Sequence, residues 1–293
     1  DQDRLPSGLP ARFIGVTVDG QVQVVSTATG RVERLVAHDP PDTDPEANGG
    51  YFYDSAWPIP NQEDIYVGFC CEPAAGRIDR FEPDMDPTVR PDEHALCGYH
   101  AIASPDGSLF ANDHLGGLSL FHSERFAAAV LDTIIEVSST EYFGGGSVAW
   151  LRSRRAVVWL IPVFDEQATE YVVEIIDLDA DNQPITTTQF VLPATASGDL
   201  SGLAVRGDDA LVVTGCETRS QDQCLDSTGY VFDSATGELM AEFPLEAGSV
   251  LGGYDQTGQL LLYVDGSGTV RWQGRGQHGV LHQGDYVSAV WDY

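Results

Sequence analysis

The chain has 293 residues, 42% of them hydrophobic, enough to bury a sizeable core and to exclude wholesale disorder. Asp and Glu number 45 against 15 basic residues, every one of them Arg, for a formal charge of −30. A field of that sign repels phosphate backbones and anionic lipid surfaces, which excludes nucleic acid as a partner, and no run approaches the ~20 apolar residues that span a bilayer.

In chain order, residues 1–10 are expected to form an extended tail, and Asp1-Gln2-Asp3-Arg4 carry no apolar leader. Three strands follow at Phe13–Val18, Gln21–Ser26 and Val32–Val36. A recurring unit then begins. Each copy opens on a small-residue strand: Asp54-Ser55-Ala56-Trp57, His100-Ala101-Ile102-Ala103, Ser147-Val148-Ala149-Trp150, Ser201-Gly202-Leu203-Ala204, Val250-Leu251-Gly252-Gly253 and Ser288-Ala289-Val290-Trp291. In the first five, a turn and a more apolar strand come next. Examples are Ser104-Pro105-Asp106-Gly107 before Leu109-Phe110-Ala111, and Asp255-Gln256-Thr257-Gly258 before Leu260–Tyr263. The spacing matches the roughly 40–50 residues of a four-stranded propeller blade.

Small residues suit strands crowded around a central axis. The chain starts with three strands that lack an inner partner and ends with an inner strand, Tyr286–Trp291, that lacks outer ones. The two partial repeats complete one blade, and the ring closes without a free edge between its ends. The expectation is an all-β, six-bladed propeller of four-stranded blades, residues 1–293 forming one domain. The segment Ala101–Ala111 resembles the strand–turn–strand core of TolB-like and WD40-like propeller repeats. That resemblance implies the fold and leaves activity open, since propellers host binders, scaffolds and enzymes.

Connections from one blade to the next share a face with the second-to-third-strand connections. His38–Gly50, Pro83–Leu96, Phe164–Thr169 and Glu217–Ser227 are assigned to that face as its long insertions, where function is expected to concentrate. They are rich in Asp, Glu and Pro.

Five cysteines occur. Cys216 and Cys224 are expected to staple one long excursion. Cys70 or Cys71 can bridge to Cys97, with Cys71–Cys97 the pairing adopted, Cys97 being read as the start of the third blade. A vicinal Cys70–Cys71 bond leaving Cys97 free is the alternative. Disulfides imply an oxidising compartment. Cys70-Cys71-Glu72-Pro73 resembles short segments of actinobacterial extracytoplasmic propeller proteins. That resemblance implies a secreted or cell-surface place, with any tether lying upstream of Asp1.

The inner strands point to a channel mouth. Asp54, His100, Ser147, Ser201, Val250 and Ser288 head those strands, Asp199 and Asp285 stand just before two of them, and Tyr53, Tyr99, Tyr142, Phe143 and Tyr286 are expected to form an aromatic rim. Converging Asp and His side chains can hold a divalent cation or act as acid and base. The layout resembles that of six-bladed lactonases, although Ser and Val occupy most ligand positions here. Asp177-Leu178-Asp179-Ala180-Asp181-Asn182 opens like a calcium loop but has Thr188 where the bidentate Glu belongs, so an acidic hairpin turn is expected.

The function favoured is a non-catalytic binding module, monomeric and without a resident cofactor, presenting its long-loop face to a protein, peptide or glycan. The alternatives are a metal-dependent, lactonase-like hydrolase using Asp54, His100, Asp199 and Asp285, and a structural domain of a cell-envelope assembly.

Overall fold

Runs such as Ala156–Ile161 and Leu260–Val264 are apolar at every position, which marks strands covered on both sides. The computed structural model shows why. It describes residues 5–38, 53–69, 77–89, 96–97, 100–114, 117–122, 132–136, 147–164, 169–193, 199–207, 210–220 and 223–292. All regular structure among them is β-strand.

The strands in chain order are β1 (Arg12–Thr17), β2 (Gln21–Ser26), β3 (Val32–His38), β4 (Tyr53–Pro58), β5 (Ile65–Phe69), β6 (Arg77–Phe81), β7 (Leu96–Cys97) and β8 (His100–Ala103). Next come β9 (Leu109–His114), β10 (Gly117–His122), β11 (Asp132–Glu136), β12 (Ser147–Leu151), β13 (Ala156–Phe164), β14 (Thr169–Leu178), β15 (Pro184–Val191) and β16 (Asp199–Arg206). The last are β17 (Ala210–Ser220), β18 (Gln223–Asp233), β19 (Leu239–Leu245), β20 (Val250–Tyr254), β21 (Leu261–Val264), β22 (Val270–Gly274), β23 (Gln277–His282) and β24 (Tyr286–Asp292). They form six four-stranded antiparallel sheets, each a blade.

Five blades use consecutive strands. The sixth has the order β24-β1-β2-β3, so the C-terminal strand supplies the inner strand of the first blade, as the two partial repeats require. Its register runs from Arg12 opposite Asp292 to Val16 opposite Ser288. The inner strands β24, β4, β8, β12, β16 and β20 contact one another in that order and back to β24.

Buried side chains fall into six clusters, and each joins two neighbouring blades. Strand alternation is the cause: successive side chains of one strand point to opposite blade faces, so each blade feeds both neighbours. In β13, Val157, Trp159 and Ile161 pack toward blade 3, whereas Ala156, Val158 and Leu160 pack toward blade 5. Large aromatics bolt these interfaces. Trp150 Nε1 donates to Ile102 O (3.1 Å), Trp159 Nε1 to Asp113 Oδ1 (3.0 Å) and Trp291 Nε1 to Leu260 O (3.2 Å), each reaching into the preceding blade.

Two assignments change. Leu96 and Cys97 pair with Ile78 and Arg77, so Cys97 ends the second blade rather than opening the third. The connection across Pro83–Leu96 therefore joins third to fourth strand and belongs to the opposite face from the one expected. Glu217–Ser227 is also not a loose loop: Thr218 pairs with Asp226, Arg219 with Cys224 and Ser220 with Gln223, making a ladder with two register shifts.

Candidate functional site

The face carrying the blade-to-blade connections is where the inner strands begin. Asp54 and His100 stand at the heads of adjacent inner strands, β4 and β8. On the other side of β4, Ser288 of β24 donates its hydroxyl to Asp54 O (2.8 Å). Ser288, Asp54 and His100 thus form one arc of the channel mouth. Asp285 precedes β24, is exposed, and accepts the Val18 N–H on its carbonyl (2.7 Å). Asp199 opens β16, on the far side of the ring from β4, with its backbone opposite Cys216. The side chains of Asp199 and Ser201, and residues Tyr99, Tyr142, Phe143 and Cys71, lie outside what the structure describes, as does the Cys97 side chain. Among the described residues, no three His, Cys, Asp or Glu side chains converge as a metal site.

The expected aromatic rim is not built from Tyr53 or Tyr286. Tyr53 is 1% exposed and meets Phe81 edge-on at 5.9 Å, deep between blades 1 and 2. Tyr286 is 6% exposed and packs edge-on against Phe13 and His282 at 6.1 and 5.5 Å. Both rings lie over positions where apolar core is available on the strand's inward face, and burial of that area outweighs display at the mouth.

Burial pushes the Asp54 carboxyl above the usual carboxylate range, against the opposite pull of the Ser55 hydroxyl, which donates to Oδ1 at 2.6 Å. His100 touches solvent along the channel, yet protein atoms crowd its ring, and that desolvation pushes its pKa down. Both shifts favour the neutral forms.

The Asp54 shift has a consequence for stability. Between the unfolded value near 3.8 and the raised folded value, the native chain holds a proton that the unfolded chain releases, so stability falls as pH rises through that window. Asp54→Asn has no proton to lose. Its urea-unfolding free energy should fall less than wild type's as pH rises from about 3.5 to about 7. Parallel curves would mean that the carboxyl is well solvated.

At the other end the channel has a floor. Arg152 follows β12 in blade 4, and its guanidinium donates to Asp255 O (2.7 Å) and Tyr254 O (3.1 Å) of blade 6, passing over the blade between them. The half-buried Ile102, Leu203, Leu251, Val287 and Val290 of the inner strands pack against the clusters between neighbouring blades.

An arm projects from blade 5 on the same face. β17 and β18 run eleven residues each, but β16 covers β17 only as far as Cys216 and β19 covers β18 only from Ser227. The remaining ribbon extends about 13 Å beyond the blade at ~3.3 Å per residue. An isolated two-stranded ribbon is marginal in water. Here a Cys216–Cys224 disulfide, with Cα atoms 5.6 Å apart, ties its base as expected. Closing so short a loop contributes about 2–3 kcal/mol. Leu225 on this arm is 47% exposed, and Val250 at the mouth and Val18 nearby are 44% and 66% exposed.

One further feature falls outside the sequence expectations and one within them. A groove of about 580 Å³ between blades 5 and 6, on the short-turn side, is lined by Arg206, Arg275, His278, Glu242, Phe243 and Tyr254. The Asp177–Asn182 segment is a hairpin turn as expected: Asp179 Oδ1 accepts the N–H groups of Asp181 (2.9 Å) and Gln183 (2.8 Å), and Asn182 takes a left-handed conformation (φ 64°).

No protein-family model matches the chain, and no curated protein matches it. Among solved structures it is similar to one titled dihydro-heme d1 dehydrogenase NirN in complex with DHE. The identity is 13%, the match covers 96% of this chain and 57% of that one, and the TM-score is 0.44. The chain thus spans little more than half of that neighbour's length, and no residue role carries over at such identity.

Proposed function

We propose that this propeller is an extracytoplasmic binding module that grips a peptide or a glycan at the face bearing the channel mouth. The supporting observation is the disulfide-tied arm, which holds Leu225 exposed on the same face as the Asp54 and His100 strand heads. Apolar contact plus a few placed hydrogen-bonding groups is the usual chemistry of such sites. The disulfide favours an oxidising compartment, and the −30 charge favours solubility there. Kinship with TolB-like or WD40-like repeats belongs to the same proposal.

The test is a peptide and glycan array probed with four forms of the protein. Leu225→Asp and Val250→Asp should each lower binding at least about tenfold, the cost of losing about 1.4 kcal/mol of apolar contact. Ile185→Asp, on the outer rim of blade 4, should match wild type. Equal binding by all four, or none by any, would overturn the assignment.

The hydrolase reading draws on the same Asp54–His100 arc. It is disfavoured because Asp199, which it also invokes, opens β16 on the far side of the ring from Asp54.

A further inference from the structure

The groove between blades 5 and 6 inverts the charge balance of the chain. Carboxylate residues outnumber Arg by 45 to 15 overall. Among the described residues that line the groove, Arg206, Arg275 and His278 meet a single carboxylate, that of Glu242. Two guanidiniums in one concavity make a local cationic site on an anionic background. Repulsion from distant carboxylates is screened beyond about 8 Å at physiological salt, whereas the two Arg act on a ligand at contact distance.

The two Arg are placed differently. Arg206 ends β16 and is exposed, and among the described residues it has no hydrogen-bond or ion-pair partner. Arg275 stands in the two-residue turn between β22 and β23, since Gly274 pairs with Gln277. Its φ is 53° and that of Gly276 is 72°. A hairpin turn with both central residues left-handed selects Asn, Asp or Gly at the first of them. Arg is therefore kept here against the preference of the turn. Its side chain is anchored all the same: Nε donates to Gln259 Oε1 (2.7 Å) and Nη1 to Ser7 O (3.4 Å), which leaves the Nη2 donors for a ligand.

The walls are fixed by backbone contacts. A Cβ on Gly258, in the β20–β21 turn, would run into Gly207 N of the turn after β16, and one on Gly274 would run into Gln259 O. The turns beside the two Arg are thus both seated on the β20–β21 turn. Between them the floor is apolar, with the half-buried Phe243 packed on the cluster of Val231, Tyr254 and Leu261. A volume of about 580 Å³ is that of a small-ligand site.

We propose that this groove binds a small organic acid, its carboxylate held by Arg206 and Arg275 and its planar apolar body laid against Phe243. A guanidinium presents paired N–H donors that match the two oxygens of a carboxylate, and the aromatic floor takes the rest of the molecule out of water. The site is on the face opposite the channel mouth, so it stands or falls separately from the peptide or glycan reading.

Calorimetric titration with naphthalene-2-carboxylate tests this. Its Kd should lie below about 5 mM, with the neutral naphthalene-2-carboxamide and the ringless acetate each at least about tenfold weaker. Arg206→Gln and Arg275→Gln should each weaken the carboxylate at least about tenfold, whereas Arg31→Gln, at an exposed position in blade 1, should match wild type. Arg275→Asn separates a ligand role from a structural one. It gives the turn a residue it prefers, so it should raise the melting temperature while losing binding as Arg275→Gln does. The double variant Asp1→Asn, Asp3→Asn should bind as wild type does. No binding of the carboxylate at about 5 mM, equal binding of acid and amide, or indifference to either Arg→Gln change would each overturn the proposal. So would a lower melting temperature for Arg275→Asn, or tighter binding by the double variant, which would make the chain's own acidic start the occupant.

Discussion

Replacing Gly252 with Ala, the smallest change available, should destabilise the protein by more than about 3 kcal/mol. A Cβ built there would stand 1.8 Å from Ala289 O, 2.9 Å from Ala289 C and 3.3 Å from Leu262 O. The first two atoms are backbone of β24, and neither can yield without moving the strand that closes the ring. Gly253 is the informative contrast. Its φ of 100° disfavours any L side chain, but nothing lies within 4 Å of the added carbon. Gly253→Ala should cost about 1–2 kcal/mol of backbone strain alone. Urea unfolding of both variants measures the order. If Gly253→Ala were the worse of the two, β20 and β24 would not approach as closely as described.

Trp291→Ala should cost about 3–5 kcal/mol, the range for emptying a buried aromatic site. Trp291 is 1% exposed, sits in the cluster joining blades 6 and 1, and donates to Leu260 O. Trp291→Phe keeps most of the apolar contact and loses the N–H donor, so it should recover most of the stability and remain about 1 kcal/mol short. Thermal unfolding of the three proteins separates packing from hydrogen bonding. Equal stability of wild type and Trp291→Ala would mean that the last strand is not part of the core.

Much of the architecture was legible because it rests on local pattern. The six inner strands announce themselves through small residues after turns, and Tyr286–Trp291 stands alone at the end as a strand needing a sheet. What failed did so for identifiable reasons. β7 is two residues long, too short to show a period, so Pro83–Leu96 was assigned to the wrong face and Cys97 to the wrong blade. Glu217–Ser227 is polar and contains no apolar alternation, so its ladder, held by backbone bonds and a disulfide, did not look like strand. Tyr53 and Tyr286 were placed by strand position, which says where a residue starts but not which blade face its ring enters.

The site was less legible than the fold. Asp54 and His100 do head adjacent inner strands, and their shifts follow from burial that no local motif encodes. Arg152 bridges to carbonyls more than a hundred residues away, a contact with no trace in the sequence around it.

The blade assignments, the two faces and the channel all depend on β24 pairing with β1. Hydrogen–deuterium exchange on the intact protein reads this directly. Amides of residues 286–292 and 12–17 should exchange as slowly as those of β13 and open together with it, in one global step. Exchange of 286–292 within seconds, while β13 stays protected, would contradict the closed ring.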